Sequence, residues 1–559
     1  MAQQTLGKKG AELEEELEKK IEEIRTDAKE REYKSVAEKF ELPFSDLKTT
    51  PGGLEALGLV KEEKARSAKL AVIYKVGAKI LVAVTDPEDT ETKKLLEELE
   101  KQGFAIKLVL TMPAGLENAW KKYKAIVSPD VFEIGAITIK EEELNQIQAS
   151  IQSLQDLKNQ ITKISVTKLL EIFIGGALKI GASDVHFEPE AKNTRVRYRL
   201  DGYLQDAVFV ETKDYKKVVN RVKVLAQLKL NIHDTPQDGR FTIRQKDTDV
   251  EVRVSVLPSE YGETIVMRLL DPRRVMGKIE ELGMRDDILA LVKKQLDKAV
   301  GVILTTGPTG SGKTTTLYSF VNYLNTPDTK IITIEDPIEY HITGISQTQV
   351  EPEKGYTFVN GLRAIVRQDP DVVLVGEIRD LETAEIAMQA ALTGHIVLST
   401  LHTNDAAGTI PRLVDLGVKS QTIAPALNMA MAQRLLRKLC PACKKATELH
   451  GEDLERIKKH MTPLVERFKL PMVDDKLVVY APQGCKECNN LGFKGRIGVY
   501  EAFTISREME FLILKNAPVS EIRDRAIEEG MVTFMQDAFL KLIAGTTALD
   551  EIYRVLGVV

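Results

Sequence analysis

The chain has 559 residues, 43% of them hydrophobic and 29% charged, a composition suited to a soluble globular protein large enough for several domains. Its 78 basic and 83 acidic residues leave a formal net charge of -5, which argues against a protein whose main task is gripping nucleic-acid phosphates. The opening MAQQTLGKKGAELEEE has no apolar core for a signal peptide, Val302–Leu304 and Val372–Val375 are far too short to span a bilayer, and four cysteines do not make a secreted disulfide scaffold, so the expected compartment is cytoplasmic, with membrane contact made through partners.

Residues 1–30 are rich in Glu and Lys, and Leu13, Leu17, Ile21 and Ile24 fall on one helical stripe. A solvated helix and a docking helix both fit that pattern. Residues 31–127 read as a small α/β domain. Leu70 to Tyr74 and Ile80 to Val84 are β-rich runs around a turn at Val76 to Lys79. Thr85 to Asp89 opens a charged helix, Ile106 to Leu110 is a further strand, and Gly115 to Tyr123 a further helix. This region holds no reactive cluster, so its expected job is binding. Residues 128–164, with Gln146, Gln148, Gln152, Gln155 and Gln160 among Ile and Leu, read as a linker passing into a helix.

A middle domain is expected over 165–278. It carries Gly181 to Pro189, then Arg195-Val-Arg-Tyr-Arg-Leu200, Gln237-Asp-Gly-Arg240, Val252-Arg-Val-Ser-Val256 and Ile265-Val-Met-Arg-Leu269. Alternation of period two with arginines on one side predicts strands with one apolar and one cationic face. Over 279–559, helices alternate with short apolar strands, the pattern of a parallel α/β sheet. No internal repeat or low-complexity tract interrupts the chain.

The strand expected at Gly301 to Thr306 runs into Gly307, Pro308, Thr309, Gly310, Ser311, Gly312, Lys313 and Thr314, and then a helix from Thr315 to Leu324. This is G-x-x-x-x-G-K-[ST] in the strand–loop–helix context that gives the motif its meaning. Glycines let backbone N–H groups converge on phosphates, the helix N-terminus favours negative charge, Lys313 offers a point charge, and the Thr314 hydroxyl suits Mg2+. Hydrolysis also needs carboxylates. Strand ends supply Glu335 and Asp336, with Glu339 beyond, and Gly376-Glu377. Where an Asp commonly follows the apolar strand, this chain has Gly376, so Glu377 is either the water-mediated metal ligand or the base; Thr314, Asp336 and Glu377 form the candidate Mg2+ environment. His395 and His402 flank another apolar strand. His402, beyond its C-terminal end, is placed to sense a γ-phosphate, whereas His395 is as compatible with a structural role.

All four cysteines form C-x-x-C pairs, Cys440/Cys443 and Cys485/Cys488, the donor set of a closed tetrahedral Zn2+ site. The long separation between the pairs predicts an inserted helix near Glu452 to Phe468, within a zinc element over about 438–500. Redox activity is the rival, but no thioredoxin-like context surrounds either pair.

ASDVHFEP at 182–189, QDGR at 237–240, ITIEDPIEY at 332–340, LRAIVRQDPDVVLVGEIRD at 362–380 and LTGHIVLSTLHTNDA at 392–406 together resemble the secretion ATPase superfamily of type II secretion and type IV pili. The resemblance implies a RecA-like P-loop motor with a zinc insertion, a PAS-like α+β middle domain and a small α/β docking domain. It implies ATP, Mg2+ and Zn2+ as ligands, and a homohexamer contacting an inner-membrane platform protein and a cytoplasmic adaptor. It assigns catalysis to Glu335, Glu377 and His402. Middle-domain arginines would close over the nucleotide, with Arg253 and Arg268 acting in catalysis and Arg240 joining residues 307–315, Thr315 included, in ATP binding. Retraction ATPases lack the tetracysteine element and the extra N-terminal domain, so the chain is similar to pilus-assembly and type II secretion ATPases alike; no residue separates these two, and ATP-driven pilus assembly is the expected function, with type II secretion the alternative. A DNA-uptake or nucleic-acid motor and a non-catalytic scaffold are the rivals from other classes.

Overall fold

The computed structural model describes residues 28–47, 54–125, 136–138, 154, 156–157, 169–245, 248–274, 277–468 and 476–558. The stripe of Leu13, Leu17, Ile21 and Ile24 and the linker glutamines 146–160 lie outside the described residues. The chain divides into two units, Met1–Glu133 and Ile134–Val559.

In the first unit, β1 (Leu70–Val76) and β2 (Lys79–Val84) form an antiparallel hairpin, and β3 (Ala105–Leu110) lies parallel to β2. The crossover is the helix Thr90–Lys101, whose N-cap Asp89 accepts hydrogen bonds from the N–H groups of Glu91 and Thr92. Leu95 and Leu99 bury the inner side of that helix. Trp120, the single tryptophan of the chain, is buried and donates its indole N–H to the Leu70 carbonyl at 3.0 Å. This α/β arrangement is the expected one.

The second unit contains two seven-stranded sheets. The first uses β4 (Ala136–Thr138), β5 (Asp184–Pro189), β6 (Asn193–Leu200), β7 (Tyr203–Glu211), β8 (Gln237–Arg244), β9 (Val250–Ser259) and β10 (Gly262–Leu270), in the order β4-β8-β9-β10-β5-β6-β7. The alternation read from the sequence is explicit in β6, where Thr194, Val196, Tyr198 and Leu200 are buried while Arg195, Arg197 and Arg199 take the other face. Helices Leu169–Ile180 and Thr212–Leu225 supply residues to the same apolar core, among them Phe173, Ala177, Val218 and Val222.

The second sheet has the order β13-β12-β14-β15-β11-β16-β19. Its strands are β11 (Gly301–Thr306), β12 (Ile331–Glu335), β13 (Ser346–Gln349), β14 (Val372–Val375), β15 (Ile396–Leu401), β16 (Leu427–Leu439) and β19 (Phe493–Thr504). All adjacent pairs are parallel except β16–β19. Strands β11, β12, β14 and β15 are buried along their whole length, because helices cover both faces and leave no side open to solvent. A small antiparallel pair, β17 (Lys445–Glu448) and β18 (Val478–Ala481), branches from this sheet. Between them runs the inserted helix, Gly451–Phe468, burying Leu454, Ile457, Met461 and Leu464.

Asp537, fully buried in the helix Phe534–Ile543, ties three elements of this unit together. Its carboxylate accepts from the Tyr500 N–H at 2.8 Å in β19 and from Lys541 Nζ at 2.7 Å. Arg285, just ahead of the helix Asp286–Leu296, approaches it at 2.9 Å as an ion pair without hydrogen-bond alignment. Removing the acid leaves Lys541 without its carboxylate in a low-dielectric interior, while Arg285 keeps Asp287 at 3.0 and 3.2 Å. Asp537→Ala is therefore expected to cost about 3–5 kcal/mol, seen as a lower urea midpoint for this unit; an unchanged midpoint would show that water reaches the cluster.

Candidate functional site

The phosphate-binding loop lies between β11 and the helix Lys313–Leu324, where the backbone turns through Gly307 (φ 145°), Gly310 (φ 79°) and Gly312 (φ 91°). These are left-handed conformations that side chains other than glycine rarely adopt. Space enforces two of them as well. A Cβ on Gly307 would sit 2.6 Å from the Gln433 carbonyl, and one on Gly312 2.8 Å from Gln433 Nε2. Gln433, in β16, also accepts from Thr316 Oγ1 at 2.8 Å, bracing the first turn of the helix. Lys313 Nζ is held over the loop by the carbonyls of Gly307 and Pro308, at 2.7 and 3.2 Å. Burial pushes its amine below the ordinary lysine range; Glu377 opposes that shift and Arg434 adds to it. Ser311 Oγ is buried in the loop with no partner among the described residues. A converging backbone, a cation and a buried hydroxyl awaiting an acceptor together fit a polyphosphate.

The carboxylates approach this loop because β12, β14 and β15 run parallel to β11 and end beside it. Glu377, just past β14, is largely buried and pairs with Arg379 at 2.5 Å and with His402 Nε2 at 3.5 Å. Thr400 Oγ1 donates to the Gly376 carbonyl at 2.8 Å, and the Ile378 N–H to the Thr400 carbonyl at 3.0 Å. These bonds extend the β14–β15 ladder far enough to set Glu377 beside His402. Glu335 is buried at the end of β12, where Thr333 Oγ1, Tyr318 Oη and Gln347 Nε2 all donate to its carboxylate, at 2.6, 2.5 and 3.1 Å. Its carboxylate is thus already engaged by three neutral donors. Burial, followed by the charge and hydrogen bond of Glu335, pushes the Tyr318 phenol far up. Asp336 is exposed next to it. His395 stands at the other end of β15, its Nδ1 2.8 Å from the Ala390 carbonyl at the end of a helix, a structural position.

Lys313, Thr314, Thr315, Glu335, Asp336, Glu377 and His402 line one cleft of about 700 Å3, a volume suited to a nucleotide. Arg268 enters the same cleft from β10. Arg240, Arg253 and Arg268 stand directly opposite one another on β8, β9 and β10, so the sheet register aligns three cations across adjacent strands. The alignment does not put all three at the phosphate loop. Arg240 and Arg253 line an adjoining groove of about 570 Å3, which Arg268 and Pro337 also border. Arg253 instead holds Glu339 Oε2 at 2.8 Å and the Ile338 carbonyl at 2.6 Å. Arg268 Nε donates to the buried Asp184 at 2.9 Å. Two cations near the loop were not expected from sequence. Arg379 was legible only as a charge two residues past Glu377, and Arg434 carried no signal, since its place depends on β16 lying alongside the loop.

The four cysteine Sγ atoms lie within 4.8 Å of one another. Three separations, Cys440–Cys485, Cys443–Cys488 and Cys485–Cys488, are 3.9, 3.8 and 3.7 Å. A tetrahedron with Zn–S bonds of about 2.3 Å has edges of about 3.8 Å; a disulfide would bring two sulfurs to about 2 Å. The N–H groups of Cys485 and Gly492 each point at Cys488 Sγ from 3.2 Å. Burial alone would raise the Cys488 thiol, but those N–H groups, together with the Cys485 and Cys443 thiols, bring it down to about 7. The donor set thus fits a closed, structural zinc site.

Residues 159–554 match the family model described as type II/IV secretion system protein. A type IV pilus assembly ATPase, PilB, of Myxococcus xanthus is 35% identical over 518 residues, 92% of this chain and 89% of that protein. The type II secretion system ATPase E of Vibrio cholerae is 42% identical over 414 residues, 74% of this chain and 78% of its own. Among solved structures, the Legionella pneumophila ATPase DotB superposes with a TM-score of 0.52 at 20% identity, covering 70% of this chain and 96% of that one, a likeness of fold.

Metal analysis of the purified chain is expected to return about one zinc per chain, bound by four thiolates. Cys485→Ser should lower the melting temperature of the inserted element while nucleotide binding at Lys313 persists. Metal-free protein with four freely reactive thiols would refute the zinc assignment.

Proposed function

The chain belongs to the type II/IV secretion system protein family and is an ATPase, and we propose that it is the hexameric motor that extends a type IV pilus. The observation that carries this reading is the extent of similarity. Pilus assembly ATPases of Myxococcus xanthus and Pseudomonas aeruginosa align with 92% and 93% of this chain, enough to take in most of Met1–Glu133; that of Acinetobacter baylyi aligns with 70%, and the type II protein of Vibrio cholerae with 74%. On this reading residues 31–127 dock to the machine, residues 165–278 are the moving middle domain, and residues 279–559 are the motor. No helix among the described residues is long and apolar enough to cross a membrane. Recruitment to the inner face of the cytoplasmic membrane would therefore run through a platform protein and an adaptor.

In the proposed active site, residues 307–315 bind the phosphates, with Lys313 as the point charge. Thr314, Asp336 and Glu377 would hold Mg2+ directly or through water, and the ion would draw charge from the phosphate oxygens. Glu377, largely shielded from solvent and oriented by His402 and Arg379, is the group placed to order or deprotonate the attacking water. Glu335, held by three donors, is suited to fixing the strand end, and thereby Asp336, with its position constant through the cycle. Arg268 adds a cation from the middle sheet, while Arg240 and Arg253 act from the neighbouring groove. Arg253 bridges the two sheets through Glu339, so a change at the nucleotide reaches the middle sheet as a change of angle.

Lys313→Ala is expected to abolish turnover and weaken ATP binding. Glu377→Gln should retain ATP and slow hydrolysis by about a hundredfold or more, measured as nucleotide retention beside phosphate release. Normal turnover in Glu377→Gln would remove that residue from the chemistry.

Disruption of the gene in its own host separates the two filament systems. Loss of surface pili with exoprotein secretion intact is the expected result. Piliated cells that no longer secrete would assign the motor to a type II system.

A further inference from the structure

The tip of the β6–β7 hairpin meets the strands from which the tetracysteine element grows. Asp201 and Gly202 form its two-residue turn, both with positive φ (48° and 91°), and Tyr203 follows as the first residue of β7. Asp201 Oδ2 accepts from the Gly495 N–H in β19 at 2.7 Å. The Tyr203 ring receives two guanidinium groups, Arg437 at 4.0 Å and Arg554 at 4.7 Å from its centroid. Arg437 also lies 4.0 Å from the Phe493 centroid, so two rings share one cation.

A buried carboxylate determines why an aromatic ring is needed there. Glu551 accepts from Arg437 Nε and Nη2 at 3.0 and 2.7 Å, and from Arg554 Nε and Nη2 at 2.8 and 2.6 Å. Burial would raise the Glu551 carboxyl, but the two arginines outweigh it and hold it below the ordinary range. With their in-plane donors engaged by Glu551, both guanidiniums present flat cationic faces. A π face matches such a surface; an aliphatic side chain or a hydroxyl does not.

The far side of the hairpin leads to the nucleotide cleft. Arg199 Nη1 donates to the Gly202 carbonyl at 3.1 Å, and Arg199 Nε lies 3.2 Å from Asp184 Oδ2. The other oxygen of Asp184 accepts from Arg268 Nε. The hairpin tip and the cleft arginine thus converge on one buried carboxylate. On the motor side, Arg437 lies three residues before Cys440, and Phe493 five residues after Cys488. Asn489, next to Cys488, accepts from the Leu154 N–H at 3.0 Å, a second contact to chain outside the motor sheet.

We propose that Tyr203 is a positioning residue for ATP hydrolysis: docked on Arg437 and Arg554, it holds the β6–β7 hairpin against the root of the zinc element and, through Arg199 and Asp184, sets how Arg268 enters the phosphate cleft. The kinetic half of this proposal rests on the reading above that Arg268 acts on the nucleotide. The structural half also assigns the zinc element a task beyond its own stability. Zinc held by the four thiolates would join the strands bearing Arg437 and Phe493 at Cys440 and Cys488, and the ring's receiving site would then be well formed only while the metal is bound.

The test uses the full zinc-loaded chain and two readouts, hydrogen exchange of the backbone around Gly495 and the steady-state constants for ATP. Tyr203→Ala should raise exchange at Gly495 at least tenfold and lower kcat about tenfold, with KM within twofold. Tyr203→Phe, which keeps the ring, should match the parent chain within twofold on both. Asp201→Gly keeps the left-handed turn and loses the acceptor; because Asp201 also lines the cleft, it is read by exchange alone, and it should reproduce the exchange effect if the alanine variant does not fold. Chelating zinc from the parent chain should raise the same exchange, and chelation should add little in Tyr203→Ala. Unchanged Gly495 exchange in Tyr203→Ala and Asp201→Gly would overturn the docking. Increased exchange with an unchanged kcat, while Arg268→Ala is slow, would overturn the positioning role. A normal kcat in Arg268→Ala beside a lowered kcat in Tyr203→Ala would place the failure in the reading of Arg268 and leave the docked hairpin as a support of the cleft.

Discussion

A polyphosphate is held without a large desolvation cost only where several backbone N–H groups converge on one point and stay there. In this chain that convergence depends on strand β16. Gln433 closes the space beside Gly307 and Gly312 and bonds Thr316 at the start of the following helix. The loop is therefore pinned on one side by a neighbouring strand and on the other by its own helix. Any residue larger than glycine at the two pinned positions meets backbone or amide atoms of Gln433 within 3 Å. The geometry of the rest of the cleft is referred to this fixed loop, because β15 pairs in parallel with β11, and β14 and β12 continue the same parallel run beyond it.

A second constraint comes from the antiparallel sheet. Cross-strand register places Arg240, Arg253 and Arg268 in one row, and the row spans two cavities. The two functions suggested for such arginines, meeting phosphate and coupling domains, are thereby divided between residues a few ångströms apart. Arg253 binds Glu339 in the motor, and Arg268 is restrained by Asp184 at the edge of the cleft. Each guanidinium is oriented by a carboxylate, and such an arrangement limits the conformational entropy lost when ligand arrives.

Buried charge recurs through the unit Ile134–Val559, and two instances join elements distant in sequence. Asp537 links Tyr500, Lys541 and Arg285, while Glu551 links Arg437 and Arg554 beneath the Tyr203 ring. Such pairs add little net stability over apolar packing of the same volume, but they are costly to break singly, so they favour one arrangement over its competitors. The tetracysteine cluster works in the same direction. Its sulfur spacings match the edges of a zinc tetrahedron, and a metal held there would tie the β17–β18 branch back to the strands that carry the cation–π contacts.

Sequence alone determined the parts of this protein whose chemistry is local. A phosphate loop is a short run with its own backbone conformations, a C-x-x-C pair is a single turn, and β6 announces its two faces through alternation over eight residues. Apolar strands followed by acids placed Glu335 and Glu377 at strand ends for the same reason, and the inserted helix falls within one residue of its expected start. Only the tertiary structure decided the rest. Leu427–Leu439 is rich in good helix formers, yet it is a strand, because it fills the sheet position between β11 and β19, where ladder bonds and burial outweigh local propensity. Strand direction already separates His402 from His395 in the sequence, but their partners, a helix-end carbonyl for His395 and Glu377 for His402, come from the fold. The row of three arginines, the bracing of the loop by Gln433 and the seat of Tyr203 depend on register and strand order. Those are set by contacts between residues tens to hundreds of positions apart, about which a local pattern of side chains carries no information.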